Sequence, residues 1–379
     1  MTDTNVTETP QGPTPGRFGR LYQGLTTIDF VGRKKIWFTA SIIVIVIGLG
    51  SLGVRGFNLG IDFKGGSSWE VQSTHSSIAA MTTAATSAGL SNPTVTELGS
   101  KTYQVTADLN GDSQAQQTAI TNTVVNALAK AGGVSPSTVS TASVGPTWGG
   151  QVTNRALEAL IIFFLAVVLY ISIRFEPKMA LAAFIAMIHD LLVTVGVYSL
   201  FGFQITPDTV IAILTILGYS LYDTVVVFDR VRDNSSGAGA ILKGGTVTYS
   251  EMVNLSMNQT LARSINTSLV AILPVAAVLI VGAYILGATT LQNYGLALFV
   301  GLMSGAYSSI FIASPLLAVL KEREPRYQEL AARVGRTVHS TLTPRAAALL
   351  GSDATQRLAG TARRPTSTVT PRARKQKRR

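Results

Sequence analysis

Asp223 is the residue whose chemistry most needs explaining. It lies in "GYSLYDTVVVFDR", residues 218–230, beside Val225, Val226, Val227 and Phe228. An ionised carboxylate persists in hydrocarbon only if it is paired, hydrated or able to take up a proton. Tyr219 and Ser220, four and three residues earlier, share its helical face and are placed to donate hydrogen bonds, with Thr224 beside that face. The small Gly218 is a point where another helix could come close. The candidate cationic partner is Arg263, in "NQTLARSINTS", at a similar expected depth. The simpler reading of Arg263 is an interfacial arginine that anchors a helix end to headgroups. If the two pair, the arginine favours the ionised aspartate and protonation breaks the pair, giving a two-state element biased by protons. A second acid, Asp190, follows His189 within another apolar run. Adjacent helical residues point about 100° apart, so the two face different surroundings. For Asp190 a hydroxyl-satisfied structural role and a proton-handling role both stay open. Asp208, in Thr206-Pro207-Asp208, reads as a helix-start residue.

Several chemistries find no support. The chain has no cysteine, and His75, His189 and His339 are too scattered for a metal site. No Walker-type phosphate loop is present. Tyr222-Asp223 would suit an intramembrane aspartyl protease, but the second aspartate in a Gly-x-Gly-Asp context is missing. The expectation is a non-enzyme without metal or organic cofactor, with H+ as the ion it handles.

The elements that must position these groups are long apolar segments. Hydrophobic residues make up 47% of the chain and charged residues only 13%, about half the charged share of an ordinary soluble domain. Runs near 36–54, 156–173, 179–201, 207–228, 265–287 and 294–320 are each about the 20 residues needed to cross a bilayer. The first starts too late and lacks the small-residue site of a cleaved signal peptide. With six spans, Arg33, Lys34, Lys35, Arg174, Lys178, Arg230, Arg232 and Lys243 all fall on one side, which is therefore expected to be cytoplasmic, with both termini. Residues 55–148, with 4 basic and 5 acidic residues, are expected outside. From Lys321 onward 15 basic and 4 acidic residues account for the whole net charge of +11.

Within the outer segment, "GSSWEVQ" reads as a strand, "SSIAAMTTAATSAG" as a helix, and "PTVTEL" and "KTYQVTAD" as a hairpin. "DSQAQQTAITNTVVNALAKAGG" follows as a helix and "STVSTASVG" as a last strand. That β-α-β-β-α-β order is the ferredoxin-like split βαβ unit. The expected fold is a polytopic α-helical membrane protein with six transmembrane helices and one extracytoplasmic α+β ferredoxin-like domain. Its parts are a disordered N-terminus (1–32), span one (33–54), the outer domain (55–148), spans two to six (149–320) and a basic, largely disordered tail (321–379). Gly60-Ile61-Asp62-Phe63-Lys64-Gly65-Gly66 reads by itself as a turn joining span one to the domain.

"GIDFKGG" after span one, "VGPTWGG" before span two, "HD" in span three, "GYSLYDTVVVFDRVRDN" in span four and "NQTLARSINTS" opening span five together resemble the SecF branch of the SecD/SecF protein-export family. That family is related to the proton-driven resistance–nodulation–division transporters. The resemblance runs from about residue 30 to 320. It implies a subunit of the bacterial plasma membrane that works with SecD, often with YajC, beside the SecYEG channel through which SecA pushes preproteins. The proton gradient would help draw the exported chain outward. It further implies that Asp223 is the proton-relay aspartate, Arg263 its arginine and Asp190 an accessory polar group. Gly60, Asp62, Gly65 and Gly66 would form a structural signature joining span one to the outer domain. The glycine-rich "SSGAGAILKGG" and the tail ending "PRARKQKRR" depart from the family pattern. For the tail, solvation and topology-fixing stands beside binding to anionic membrane lipids or to the ribosome. The alternative function is half of a proton-driven exporter of small molecules or lipids.

Overall fold

Where a run of apolar side chains meets hydrocarbon, only a helix satisfies every backbone polar group within the segment. The computed structural model describes residues 28–336 except 100, 110–112, 237–241, 243–246 and 287, together with Gly19, Leu21 and Thr26. Among the described residues six helical segments are long and apolar enough to cross a membrane. They are α1 (Lys34–Arg55), α5 (Pro146–Arg174), α6 (Pro177–Phe201), α7 (Pro207–Ser236), α8 (Tyr249–Ala277) and the composite α9 (Thr289–Ser308) with α10 (Ser314–Glu322). Proline at the first position of α5 and α6 starts those helices without losing a bond, and Gly202 at φ 71° closes α6. Two wider, π-helical stretches occur: Val278–Ile285 continues α8, and Ser309–Ala313 joins α9 to α10.

Between α1 and α5 lies the soluble domain. A four-residue helix α2 (Ile61–Lys64) leads into β1 (Gly66–Gln72), α3 (Ile78–Ser87), β2 (Thr94–Leu98), β3 (Thr102–Ala107), α4 (Gln114–Gly132) and β4 (Ser140–Val144). The sheet order is β2-β3-β1-β4 with every pair antiparallel, as a split βαβ unit requires. Strand alternation turns Trp69 and Val71 of β1 and Tyr103 and Val105 of β3 inward, against Met81 and Ala85 of α3 and Val124 and Leu128 of α4. Ser77 caps α3, and a Ser113–Gln116 capping box starts α4.

Three boundaries differ from the sequence reading. Residues 28–31 lie in the segment expected to be disordered, yet they dock on α8. The Phe30 amide donates to Asn254 Oδ1 at 2.8 Å and the Ile28 amide to Asn258 Oδ1 at 3.0 Å, with Phe30 and Val31 buried. The same docking explains why α8 starts at Tyr249, well before 265: its polar first turns are covered by protein rather than lipid. At the other end helix continues past 321 through α10, and α11 (Pro325–Arg336) packs Tyr327 against Tyr249, the rings tilted with centroids 4.7 Å apart. The remainder of the basic tail, 337–379, and most of the glycine-rich stretch lie outside the described residues.

The ends of the bundle are held differently. At one end Arg174 pairs with Asp229 at 2.9 Å, Lys178 with Glu324 at 3.1 Å, and Lys321 with Glu176. At the other end the chain leaving α1 lies on the loop between α6 and α7. The Ile205 amide donates to the Asn58 carbonyl at 2.8 Å and the Gly60 amide to the Ile205 carbonyl at 2.8 Å.

Candidate functional site

Asp223 sits on α7 with 1% of its surface exposed. Ser264 of α8 donates to it, with Oγ 2.8 Å from Oδ1 and 2.6 Å from Oδ2, and Ser309 donates to Oδ2. Asp190 on α6 is fully enclosed. It accepts from Ser220 of α7 at 2.5 Å, from Ser308 at 2.7 Å and from Ser304 at 2.8 Å, while His189 Nδ1 lies 3.1 Å from Oδ1. Two buried carboxylates are thus held by hydroxyls drawn from three helices, α7, α8 and α9 with its π turn.

Backbone geometry makes this possible. Ser308 and Ser309 are consecutive, but they fall where α9 widens into its π turn, and they reach different carboxylates: Ser308 meets Asp190 and Ser309 meets Asp223. π-Helical turns of this kind are a recurrent mark of functional sites. α9 comes close to α7 because Gly305 leaves room, since a Cβ there would stand 3.0 Å from Ser220 Cβ. The helix approach expected at Gly218 is not made there, for a Cβ on Gly218 would meet nothing within 4 Å.

The other expected partners of Asp223 are placed elsewhere. Ser220 turns to Asp190 instead. The Tyr219 hydroxyl lies beside Ser268, and Thr224 is buried without donating to either carboxylate. Arg263 is exposed and, among the described residues, forms no ion pair with Asp223. The reason is angular. Ser264 faces Asp223, so its neighbour Arg263 points about 100° away.

Gly60, Asp62, Gly65 and Gly66 build the joint between α1, the soluble domain and α5. Gly65 (φ 77°) and Gly66 (φ 117°) take backbone conformations that favour glycine, and a Cβ on Gly66 would lie 2.7 Å from the Ala107 carbonyl oxygen. Gly149 of α5 packs so closely that a Cβ would stand 2.8 Å from the Phe63 carbonyl oxygen. Asp62 is half-buried, and burial together with the charge of Asp208 raises its pKa above the ordinary aspartate value, outweighing a backbone hydrogen bond. The joint is far along α7 from Asp223 but continuous with it, because residues 58–60 bond directly to the loop that starts α7.

Sequence reading missed Ser264, Ser304, Ser308 and Ser309. A signal existed in "GLMSGAYSSIF", where Gly301, Ser304, Gly305 and Ser308 form a small and polar stripe at helical spacing facing α6 and α7. Among the described residues no group of three His, Cys, Asp or Glu side chains could hold a metal ion.

The family model described as "Protein export membrane protein SecD/SecF, C-terminal" matches residues 123–323, and the SecD/SecF GG motif matches residues 50–76. A protein translocase subunit SecF from Streptomyces coelicolor is 45% identical over 316 residues, 83% of this chain and 82% of that one. A SecF from Mycobacterium tuberculosis is 41% identical over 309 residues, 80% of this chain and 69% of that one. Among solved structures, SecDF from Thermus thermophilus, a translocon-associated membrane protein, superposes with a TM-score of 0.66 at 29% identity. That match covers 78% of this chain and 39% of the SecDF chain, so the present chain spans well under half of it.

Proposed function

The chain belongs to the SecD/SecF family of protein-export membrane proteins, and we propose that it serves as the SecF-type accessory subunit of the Sec machinery, coupling the proton gradient to late steps of preprotein translocation. In this role it works with SecD. YajC, the SecYEG channel and the SecA motor are the further partners that the family membership suggests. The membrane is the bacterial plasma membrane. The end carrying Arg174, Lys178, Arg230 and Lys321 faces the cytoplasm, because Lys and Arg concentrate on that side of multi-pass proteins, and the soluble domain lies outside.

One observation carries the coupling: Asp223 is buried among hydroxyls and, among the described residues, makes no ion pair with a cation. A carboxylate locked to an arginine resists protonation. Serine hydroxyls donate to the ionised form and, by rotating, accept from the neutral one, so both states are satisfied in place. A proton arriving at Asp223 therefore turns Ser309, at the α9–α10 junction, whose hydroxyl has the Ala306 carbonyl at 3.2 Å as its other acceptor, so no buried donor is left unpaired. Arg263, at the same level but facing outward, is left free to meet a partner subunit. One charge crossing 100 mV supplies about 2.3 kcal/mol, enough to bias two helix arrangements of comparable energy.

The test is export of a secreted reporter into inverted membrane vesicles holding the SecD-type partner and either the native chain or Asp223→Asn, with the gradient present or collapsed. Normal assembly with loss of the gradient-dependent part of export is the expected result. Export that stays fully gradient-responsive would make Asp223 a structural contact.

A further inference from the structure

His189 belongs to the buried cluster and also reaches outward from it. Its Nδ1 meets Asp190, while Nε2 is buried and has no hydrogen-bond partner among the described residues. The residue is only 7% exposed, so this nitrogen cannot turn to bulk solvent. With Asp190 ionised and the imidazole neutral, Nδ1 carries the proton that faces the carboxylate, and Nε2 presents a bare lone pair. A lone pair left empty at such depth is costly, so a donor belongs beside it.

The space for that donor exists. His189 lines a groove of about 500 Å³ between α1, α6 and α9, open on its outer side, where Val44 and Met303 are exposed. Most of its wall is apolar, including Val44, Val193, Phe299 and Met303. The polar groups among the lining residues are His189, Ser41, Ser304 and Tyr307. Tyr307 stacks on the imidazole at 6.1 Å between centroids and accepts from Ser41 at 3.4 Å, and Ser304 is itself a donor to Asp190. Water held in a protein interior needs two to four polar partners, and this corner offers them. Asp190 and Tyr307 are the titratable groups that meet His189.

We propose that water occupies the polar corner of this cavity and that His189 passes protons between it and Asp190. A proton delivered from the aqueous phase as hydronium binds Nε2 and leaves a neutral water behind, and the Nδ1 proton moves to Asp190 Oδ1. The carboxylate becomes neutral and the imidazole is left in its other neutral tautomer. Discharge along the same route reverses both transfers and restores the starting tautomer, so Asp190 loads and unloads through this one cavity. The serine pair at the π turn then links the state of Asp190 to that of Asp223: neutralising Asp190 weakens it as an acceptor for Ser304 on Oδ1 and for Ser308 on Oδ2, and the neighbour of Ser308, Ser309, holds Asp223. This assignment rests on the proton-coupled reading of the protein.

The cavity can be tested apart from export, because the chain has no native cysteine. Val193→Cys and Met303→Cys place thiols on the cavity wall, and Leu165→Cys, on the lipid-facing side of α5, is the control. Labelling of the full chain with its SecD-type partner in vesicles uses the small permeant reagent methanethiosulfonate ethylammonium. Only a hydrated thiolate reacts, so both cavity positions should label at least about tenfold faster than the control. Rates no faster than the control mean that acyl chains fill the cavity, and overturn the proposal. The second arm is His189→Gln, which fills the site with a side chain that cannot pass a proton through. It should shift the pH profile of gradient-driven export while Val193→Cys still labels rapidly in the same background. A pH profile unchanged from native overturns the relay. The failure of the wider reading looks different: there Asp223→Asn leaves export gradient-responsive while the labelling result stands.

Discussion

The soluble domain and the membrane bundle differ in what they bury beside their apolar cores. The domain closes over an apolar core of Trp69, Val71, Met81, Val105 and Leu128 and shows polar residues outside. The bundle shows Ile42, Val46, Ile161, Leu165 and Ile173 outside and keeps Asp190, Asp223 and a set of serines and asparagines within. In water the hydrophobic effect holds a core together. In lipid that force between helices is absent, and close packing of small residues with internal hydrogen bonds takes over. An added Cβ on Gly48 of α1 would stand 2.6 Å from Gly196 Cα of α6, a close approach of the kind that lipid-embedded packing uses. The contrast teaches that stability in the domain lies in methyls and rings. In the bundle the interior also carries the two carboxylates held by hydroxyls.

Substitutions sharpen this contrast, ranked by their effect on stability. Trp69→Ala removes the largest fully buried side chain of the domain and should cost it about 3–5 kcal/mol, read as loss of protease resistance in residues 66–144 with the bundle still assembled. Ser309→Ala deletes one hydroxyl donor to a buried carboxylate and should cost about 1–3 kcal/mol in thermal stability of the detergent-solubilised complex. If that variant is as stable as native, the hydroxyl cradle is not what holds Asp223. Asp223→Asn keeps shape and hydrogen-bonding capacity and should cost less than about 1 kcal/mol, yet it should remove gradient coupling altogether. The comparison breaks if the largest functional loss comes instead from the domain substitution.

The smallest effect concerns the ion pairs at the bundle end. Partial burial pushes the Glu324 carboxyl up, but the hydrogen bond from Lys178 and the charges of Lys321 and Lys178 outweigh it and hold the group below the ordinary glutamate value. Its contribution is therefore complete above the unfolded glutamate pKa and is lost as pH falls through the lower, folded value. Hydrogen exchange in α11 should quicken over that acid range and should do so less in Glu324→Gln.

Much of this architecture is legible in the sequence because it rests on local patterns. Apolar runs of span length mark the six helices, and alternation with turn residues marks the β-α-β-β-α-β unit. What escapes is whatever depends on distant segments meeting. The early start of α8 is invisible because "NLSMNQT" looks too polar for a buried helix until residues 28–31 are laid on Asn254 and Asn258, more than 220 residues away in sequence. Arg263 and Asp223 share a depth, but depth does not fix which faces meet, and the serine beside the arginine takes the contact. Ser308 and Ser309 could not be assigned to separate carboxylates, since an ordinary α-helix gives no reason to expect a π turn at that point.

The central claim is that Asp223 gains and loses a proton in place. Infrared difference spectroscopy of the complex in lipid nanodiscs, stepped between about pH 5 and 9, reads the carbonyl band of a protonated carboxyl directly. The account predicts a buried-carboxyl band that appears as pH falls and is missing from Asp223→Asn, with Ser309→Ala shifting its midpoint. A spectrum in which the native protein and Asp223→Asn show the same carboxyl bands throughout would contradict it.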